Sequence, residues 1–570
     1  MLMEIYARWL EKTAAEQELQ DELQRIAGNA EQIEDRFYRE LEFGTAGLRG
    51  VLGAGTNRMN IFTVAKATQG LSNYLNGNFE NPTVAIGYDS RIHADLFAEK
   101  AAAVLAANGI KVYLYPVLMP TPAVSFAVRD LHCSAGVMIT ASHNPAKYNG
   151  YKVYGPDGCQ ITAEAAKAIQ EGINATDPFE DVRWMEFQKA VDSGCVEYLG
   201  DDMVQRYLAA IDGVSVLPAG VDKQVSIVYT PLNGAGLSCV PRCLREHGFT
   251  NFIMPPEQDH PDGNFPTCPY PNPEIREALE VGLALAKKTG SDLLLATDPD
   301  CDRVGVAVRD GADYRLISGN EMGVLLLDFI CKMRIANGTM PEFPLAVKTI
   351  VTTPMAAKVA EHYGVKLVDV LTGFKYIGEQ IAILEEAGHP ERYIFGFEES
   401  YGYLSGGFVR DKDAVNASML ICEMFVWYKS QGKSLVDVLR ELYAQHGFYE
   451  SRLLSFTFEG SQGFAVMQDT MAKLRNDPPK EVAGYKVVAF GDYQTSQMKL
   501  EDGTVEPILL PKSNVLRFFL EGGMEAVVRP SGTEPKLKVY VTAIAGSQAE
   551  SSAVADKIAG YFNAMMNSVG

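Results

Sequence analysis

Three times between residues 83 and 397 a short apolar run gives way to a helix-patterned stretch and then to another apolar run. Such an alternation restricts a chain to βαβ units built on mainly parallel sheets. The first cycle runs Thr83 to Tyr88, a helix from about Ala94, then Lys111 to Val117 and Ala135 to Thr140. The second starts at Val225 to Tyr229, passes a helix near Leu237 to His247 and returns at Asp292 to Ala296. The third uses Leu345 to Ile350, Lys366 to Leu371 and Arg392 to Phe397. Beyond about Ala444 the pattern turns to antiparallel strands at Arg452 to Phe458, Val515 to Leu520, Glu525 to Val528 and Leu537 to Thr542, with a closing helix from about Ser547.

At about 150 residues per domain, 570 residues make roughly four units. The expected fold is therefore α/β: three similar α/β domains with mixed, mainly parallel sheets, then a smaller α+β domain. The divisions fall at 1–208, 209–318, 319–443 and 444–570. Residues 1–40, rich in Glu, Gln, Ala and Leu and free of proline, predict a helical N-terminal extension with a solvated face. Seven prolines between Pro255 and Pro273 predict a long loop inside the second unit.

Polar segments follow these strands where open α/β sheets bind their ligands, beyond the carboxyl ends. In Thr140-Ala141-Ser142-His143-Asn144-Pro145, Ser142 stands where a nucleophile or phosphate carrier would, with Lys152 ten residues on; the plainer reading is a capped polar turn. In Thr297-Asp298-Pro299-Asp300-Cys301-Asp302-Arg303, three alternate carboxylates can converge on one hard divalent cation, because three bare anions would repel. An EF-hand is excluded, since Arg303 and Arg309 stand where its glycine and final glutamate belong. That leaves Mg²⁺ with a phosphate oxygen, or a solvated acidic turn, and the adjoining Arg303 favours phosphate.

In Gly396-Phe397-Glu398-Glu399-Ser400-Tyr401-Gly402, adjacent carboxylates and a hydroxyl offer acceptors for vicinal sugar hydroxyls, or form an acidic turn. In Arg529-Pro530-Ser531-Gly532-Thr533-Glu534-Pro535-Lys536, an arginine, two hydroxyls and a glycine-freed backbone can make an anion nest, or an ordinary hairpin turn.

Other chemistries are excluded by what the chain carries. With 51 basic and 72 acidic side chains the net charge is −21, a field that repels nucleic acid and anionic lipid, so neither is an expected partner and any phosphate site must be a local basic pocket. Nine cysteines without a C-x-x-C pair fit reduced thiols in the cytoplasm. No signal peptide or membrane-length apolar run is read. Cys239, Cys243 and His247 would align on one helical face, but no fourth zinc ligand is near, and buried thiols are expected. Gly432-Lys433-Ser434 is no P-loop, because Trp427 stands where the first glycine belongs, and Gly53-Ala54-Gly55 lacks the third glycine of a dinucleotide site.

In this order and spacing the four segments resemble the α-D-phosphohexomutase family, the phosphoglucomutases and phosphomannomutases, from Thr45-Ala46-Gly47-Leu48-Arg49-Gly50 to the Arg529 loop. The resemblance implies a heart-shaped enzyme in which each domain gives one loop to a central cleft. By the same resemblance Ser142 bears the transferable phosphoryl group and, with Asp298, Asp300 and Asp302, ligates Mg²⁺. Arg49, Lys152 and Arg303 would neutralise charge there, while Thr45, Lys348 and Gly373 line the substrate site. Glu398 and Ser400 would hold sugar hydroxyls; Arg529, Ser531, Gly532 and Thr533 would form a passive phosphate clamp.

The implied reaction interconverts glucose 1-phosphate and glucose 6-phosphate through a bound glucose 1,6-bisphosphate that turns over in the cleft. Glu399 gives the Glu-Glu-Ser form that resembles glucose-preferring members; mannose and pentose 1-phosphates stay open, as does a non-catalytic phosphosugar-binding protein. Thr372-Gly373-Phe374-Lys375 resembles a family loop with tryptophan or histidine after the glycine, and Phe374 carries no proton. Lys375, Lys152 and His143 are then the general acid/base candidates. Cys301 departs from the glycine or alanine common in the metal loop, and if exposed its oxidation would perturb the metal. A mobile fourth domain and a monomer or homodimer are expected.

Overall fold

The computed structural model describes residues 2–45, 47–458, 463–531 and 536–567, and four sheets follow one another along the chain. The first has six strands in the order Leu48–Val51, Tyr148–Tyr154, Ala135–Ile139, Thr83–Tyr88, Lys111–Leu114, Val196–Tyr198. Its centre is parallel, with Val84 opposite Ala135 and Thr83 opposite Lys111, while Tyr148–Tyr154 returns antiparallel. The second sheet pairs Leu293–Thr297 with Ile227–Thr230 in parallel and carries the antiparallel hairpin Val304–Asp310 and Asp313–Ile317. In the third, Leu345–Thr349 lies between Lys366–Val370 and Tyr393–Glu398, both parallel to it.

Ala135–Ile139, Leu293–Thr297, Leu345–Thr349 and Tyr393–Glu398 are buried along their whole length. Helices cover both faces of such strands, so they read as continuous apolar runs. The antiparallel returns give these sheets the mixed character expected of them; Tyr148–Tyr154 carries Asn149 and Lys152 within the strand, and Val304–Asp310 is apolar as far as Val308.

The last sheet is larger than expected. Its eight strands include the four read from the sequence and add Tyr485–Asp492, Gln497–Leu500, Val505–Pro507 and the short Glu481–Val482; a further helix, Gly463–Asn476, packs with them. The N-terminal extension is three helices, Leu2–Lys12, Gln17–Arg25 and Ala30–Phe37, which do more than present a solvated face. They enclose Tyr6, Trp9, Leu23, Ile26, Ile33 and Phe37, and Trp9 meets Phe37 edge-on at 5.8 Å.

The division expected after 208 falls inside the helix Asp201–Asp212, and that after 443 inside Leu435–His446. The one after 318 coincides with a helix start, where the Ser318 hydroxyl accepts from the Glu321 N–H. One core cluster runs through the first three sheets and takes in Tyr449 of the fourth, which otherwise keeps its own around Phe518, Val539 and Phe562. A smaller seam joins Ile350, Val351 and Leu371 of the third unit to Tyr493, Val515, Val527 and Tyr540 of the fourth. Among the described residues no helix is long and apolar enough to cross a membrane.

Candidate active site

Three site loops leave their strands through a residue in the left-handed region: Ser142 at φ 52°, Cys301 at 54° and Tyr401 at 67°. That region disfavours any residue with a Cβ, so these turns are held by their surroundings. At position 301 glycine would fit the same backbone without that cost, which accounts for the small residue expected there.

The Ser142 hydroxyl donates to Asp298 Oδ2 at 3.1 Å and lies 3.2 Å from His143 Nδ1, so the loops of the first two sheets meet at the serine. Asp298, Asp300 and Asp302 are buried, with one oxygen from each lying within 4.8 Å of the others. The Lys152 ammonium donates to Asp300 Oδ2 at 2.7 Å, and that of Lys412 lies 3.1 Å from Asp302 Oδ2. Even so, Asp300 Oδ1 and Asp302 Oδ1 are buried without a hydrogen-bond partner. Burial, then Asp300 and Asp302, push the Asp298 carboxyl well above the usual carboxylate range. Crowded, acceptor-only oxygens of this kind fit a hard divalent cation.

Beside the triad opens a cleft of about 660 Å³, lined by residues from all four sheet units. His143 faces it; burial, Arg303 and Arg49 hold its imidazole neutral, well below the usual histidine range. The Arg303 guanidinium faces it too, paired with Glu274, while its backbone N–H donates to Asp298 Oδ1 at 3.0 Å. Glu398 ends its strand with Oε1 accepting the Gly373 N–H at 2.9 Å, a contact that Gly373 reaches at φ 121°. Burial raises the Glu398 carboxyl against the pull of Lys412. Glu399 turns aside to accept from the Thr349 and Thr352 hydroxyls at 3.3 and 3.1 Å, and burial, then Glu398, push it up to about 7. Ser400 lines the same wall.

Across the cleft, Arg529 stands directly opposite Lys538 on the neighbouring strand, both facing the cavity. Ser531 follows it, its N–H donating to the Lys536 carbonyl at 2.7 Å, whereas Gly532 and Thr533 lie outside the described residues. On the first sheet, Arg49 reaches Asn144 Oδ1 of the serine loop at 3.3 Å. Thr45 sits in the turn before that strand, and a Cβ at Gly47 would lie 1.9 Å from the Tyr151 carbonyl oxygen, so only glycine fits.

Several expectations are corrected by packing. Lys348 does not line the cleft: it is 2% exposed, its ammonium bonded to the Thr349 and Thr352 carbonyls and lying 3.0 Å from Asp369. Lys375 extends over the Tyr376 ring at 5.0 Å, and burial lowers the pKa of its ammonium, as a general acid/base candidate requires. Lys152 is no lowered amine: burial pulls its pKa down, but Asp300 and Asp302 outweigh that and raise it. Cys301 is fully buried and its thiol is pushed well up by burial and Asp298, so the exposure its oxidation would need is missing. The His247 ring N–H donates to the Cys243 carbonyl at 2.8 Å; among the described residues only the aspartate triad gathers as a metal cluster.

Among the polar cleft residues that the sequence does not single out are Asn272 and Glu274 at the end of the proline-rich segment, Lys412, and Lys538. The run Arg410-Asp411-Lys412-Asp413 did carry a signal, four charges set against the apolar helix Ala414–Ser430.

Residues 40–179, 205–311 and 318–446 match the phosphoglucomutase/phosphomannomutase alpha/beta/alpha domains I, II and III, and residues 471–560 match the C-terminal domain of the same family. A phosphoglucomutase of Staphylococcus aureus is 40% identical over 513 residues, spanning 89% of this chain and 90% of its own. That of Staphylococcus saprophyticus is 37% identical over 508 residues, spanning 88% and 90%. A phosphoglucomutase/phosphomannomutase family protein from Burkholderia thailandensis shares the fold with a TM-score of 0.64 at 18% identity, covering 92% of this chain and 97% of that one. The open form of pp63/parafusin from Paramecium does so at 0.63 and 18%, covering 90% and 92%. With all four domains matched in order around one cleft, the chain belongs to the phosphoglucomutase/phosphomannomutase family.

Proposed function

We propose that the chain interconverts α-D-glucose 1-phosphate and glucose 6-phosphate by phosphoryl transfer through Ser142. The observation that carries this reading is the Ser142 hydroxyl, 3.1 Å from a buried aspartate triad beside a four-walled cleft. Asp298, Asp300, Asp302 and the Ser142 oxygen would hold a divalent cation, proposed as Mg²⁺, which when bound neutralises charge on the phosphoryl oxygens.

The phosphoserine Oγ–P bond breaks as a free sugar hydroxyl forms its own O–P bond. The hydroxyl proton leaves the sugar, and Oγ takes up a proton. The neutral His143 imidazole, 3.2 Å from Oγ, is placed to hydrogen-bond the serine hydroxyl that results. Glucose 1,6-bisphosphate turns over in the cleft, and the steps run in reverse with its other phosphate, so Ser142 is phosphorylated again. Glu398 and Ser400 orient the sugar through its hydroxyls, and Arg303, with Lys152 and Arg49, steadies the reacting phosphate. Arg529 with Ser531, Gly532 and Thr533 holds the idle phosphate at either end of the sugar, and Lys538 stands beside that clamp. Such transfer draws on positioning and charge neutralisation rather than on covalent chemistry by the protein.

The units proposed to carry these roles follow the sequence divisions, moved to the ends of the helices Asp201–Asp212 and Leu435–His446. A reducing cytoplasmic setting is in keeping with nine free cysteines, eight of them buried.

The test is a ³¹P NMR time course with Mg²⁺, catalytic glucose 1,6-bisphosphate and competing glucose, mannose and ribose 1-phosphates. Glucose 6-phosphate is expected first, and Ser142→Ala should lower turnover by at least about 10⁴-fold while still binding phosphosugar. Ribose 5-phosphate or mannose 6-phosphate rising first would reassign the sugar; full activity in the alanine variant would remove the serine from the mechanism.

A further inference from the structure

Asp89 and Arg91 are buried charges that the transfer chemistry does not use. They follow the strand Thr83–Tyr88, the parallel neighbour of the strand that leads to the serine loop. Both terminal nitrogens of the Arg91 guanidinium donate to backbone oxygens, while Nε makes no hydrogen bond and meets Asp89 only as an ion pair. Nη1 donates to the carbonyls of Pro145 and Tyr148 at 3.1 and 2.9 Å, Nη2 donates to those of Ser142 and Asn144, and Nε faces Asp89 Oδ2 at 3.5 Å. One side chain thus gathers four carbonyls of the loop from 142 to 148. The compact ammonium of a lysine, with three donors on one atom, could not span them.

Asp89 completes the arrangement from the other side. It accepts from the Thr140 hydroxyl and from the Arg91 N–H, and Thr140 Oγ1 accepts the Ser142 N–H at 2.8 Å. Ser142 is therefore held at both of its peptide groups, its N–H through Thr140 and its carbonyl through Arg91, and both lines end on Asp89. The residue so held is the one at φ 52°, a conformation its own Cβ disfavours.

The second unit closes over this arrangement. Phe265, from the proline-rich loop, packs its ring 5.2 Å from the Arg91 guanidinium, and a Cβ on Gly263 would lie 2.5 Å from the Ile92 nitrogen. The same unit supplies Asp298, the acceptor of the Ser142 hydroxyl.

We propose that Asp89, Arg91 and Thr140 are positioning residues that brace Ser142 in its left-handed conformation, so that Oγ keeps its line to the Asp298 loop whether or not it carries a phosphoryl group. The inference rests on the reading of Ser142 as phosphoryl carrier. Loading and unloading changes the charge on that side chain by nearly two units per turnover, which would drag an unbraced loop toward or away from its cations. The brace grips only backbone and leaves the reacting oxygen free.

Thr140→Val keeps the side-chain shape and removes the hydroxyl that joins Ser142 to Asp89; Thr140→Ser restores it, and Arg91→Lys keeps charge without the fork. The readouts are kcat and KM for glucose 1-phosphate, the fraction folded, and the rate at which glucose 1,6-bisphosphate phosphorylates Ser142, followed by ³¹P NMR. Thr140→Val and Arg91→Lys should lose about a hundredfold in kcat per folded molecule and in the phosphorylation rate, with KM within about twofold, and Thr140→Ser should recover most of it. Parent-like rates for Thr140→Val, or losses that vanish when corrected for the folded fraction, overturn the brace. Ser142→Ala separates the two readings: if it still turns over, the carrier reading falls and takes the brace with it. If it is inert while Thr140→Val matches the parent, the brace alone falls.

Discussion

Glu274 lies in a segment whose sequence announces only a proline-rich loop, yet its carboxylate pairs with Arg303 at the cleft wall. An arginine oriented on one side presents its remaining donors in a fixed direction, which suits a phosphate. Glu274→Gln is expected to lower kcat/KM about tenfold with little change in thermal midpoint, since the pair is partly solvated. Initial rates across glucose 1-phosphate concentration decide it, and an unchanged kcat/KM would show that Arg303 needs no such partner. Ser142, the three aspartates, Glu398 and Arg529 were legible because rare combinations of polar residues stood at strand ends. Lys348 and Lys412 were not, because a lysine, whether in an apolar strand or in a charged run, reads the same if it meets the cleft or a buried aspartate. Only tertiary packing sent the first to Asp369 and the second to Asp302.

Among the elements, the fully buried parallel strands were legible as apolar runs, and the antiparallel returns that carry Lys152 and Arg309 were not, because each follows its site loop with no helix pattern between it and the strand before to set it apart. The helix Ala414–Ser430 adds a pH dependence of its own. Its cap, Asp413, accepts from the Asn416 N–H and the Tyr207 hydroxyl, both at 2.9 Å, and burial pushes its carboxyl up to about 6. A carboxyl raised above its unfolded value of about 4 binds its proton more tightly in the folded chain, so stability falls as pH rises from about 4 through about 6. Asp413→Asn keeps the cap and removes that fall, and relative to the parent it should gain up to about 2–3 kcal/mol between pH 4 and pH 7. Urea midpoints at the two pH values measure it, and a constant difference would place the Asp413 pKa near its ordinary value.

Across the whole molecule, the fourth unit meets the third through the seam at Tyr493 and Tyr540, through Tyr449 and Phe448 packed on the third unit's core, and through a line of charges, Lys348 to Asp369 at 3.0 Å and Asp369 to Arg517 at 3.8 Å. Asp369→Ala leaves the nearly buried Lys348 ammonium facing Arg517 with no carboxylate between, and like charges so placed repel. Its small-angle scattering is expected to show a larger radius of gyration than the parent's, reversed by added glucose 1,6-bisphosphate. Superimposable profiles would mean that the apolar contacts alone set the angle between the units. Such a joint was not legible, because its two halves lie in sequence segments that each read as ordinary strand. The fourth unit's separate core bears on how the enzyme fails when warmed. Cooperativity breaks where apolar contact is thinnest, so that unit is expected to unfold in a step of its own before the other three, which calorimetry would show as two transitions and a single transition would overturn. On the proposed reading, an enzyme in that state would keep Ser142 and the aspartate triad but lose Arg529, the hand proposed to retain the idle end of the sugar. Mild heating would then convert a closed isomerase into a leaky phosphoryl donor, releasing bisphosphate instead of turning it over.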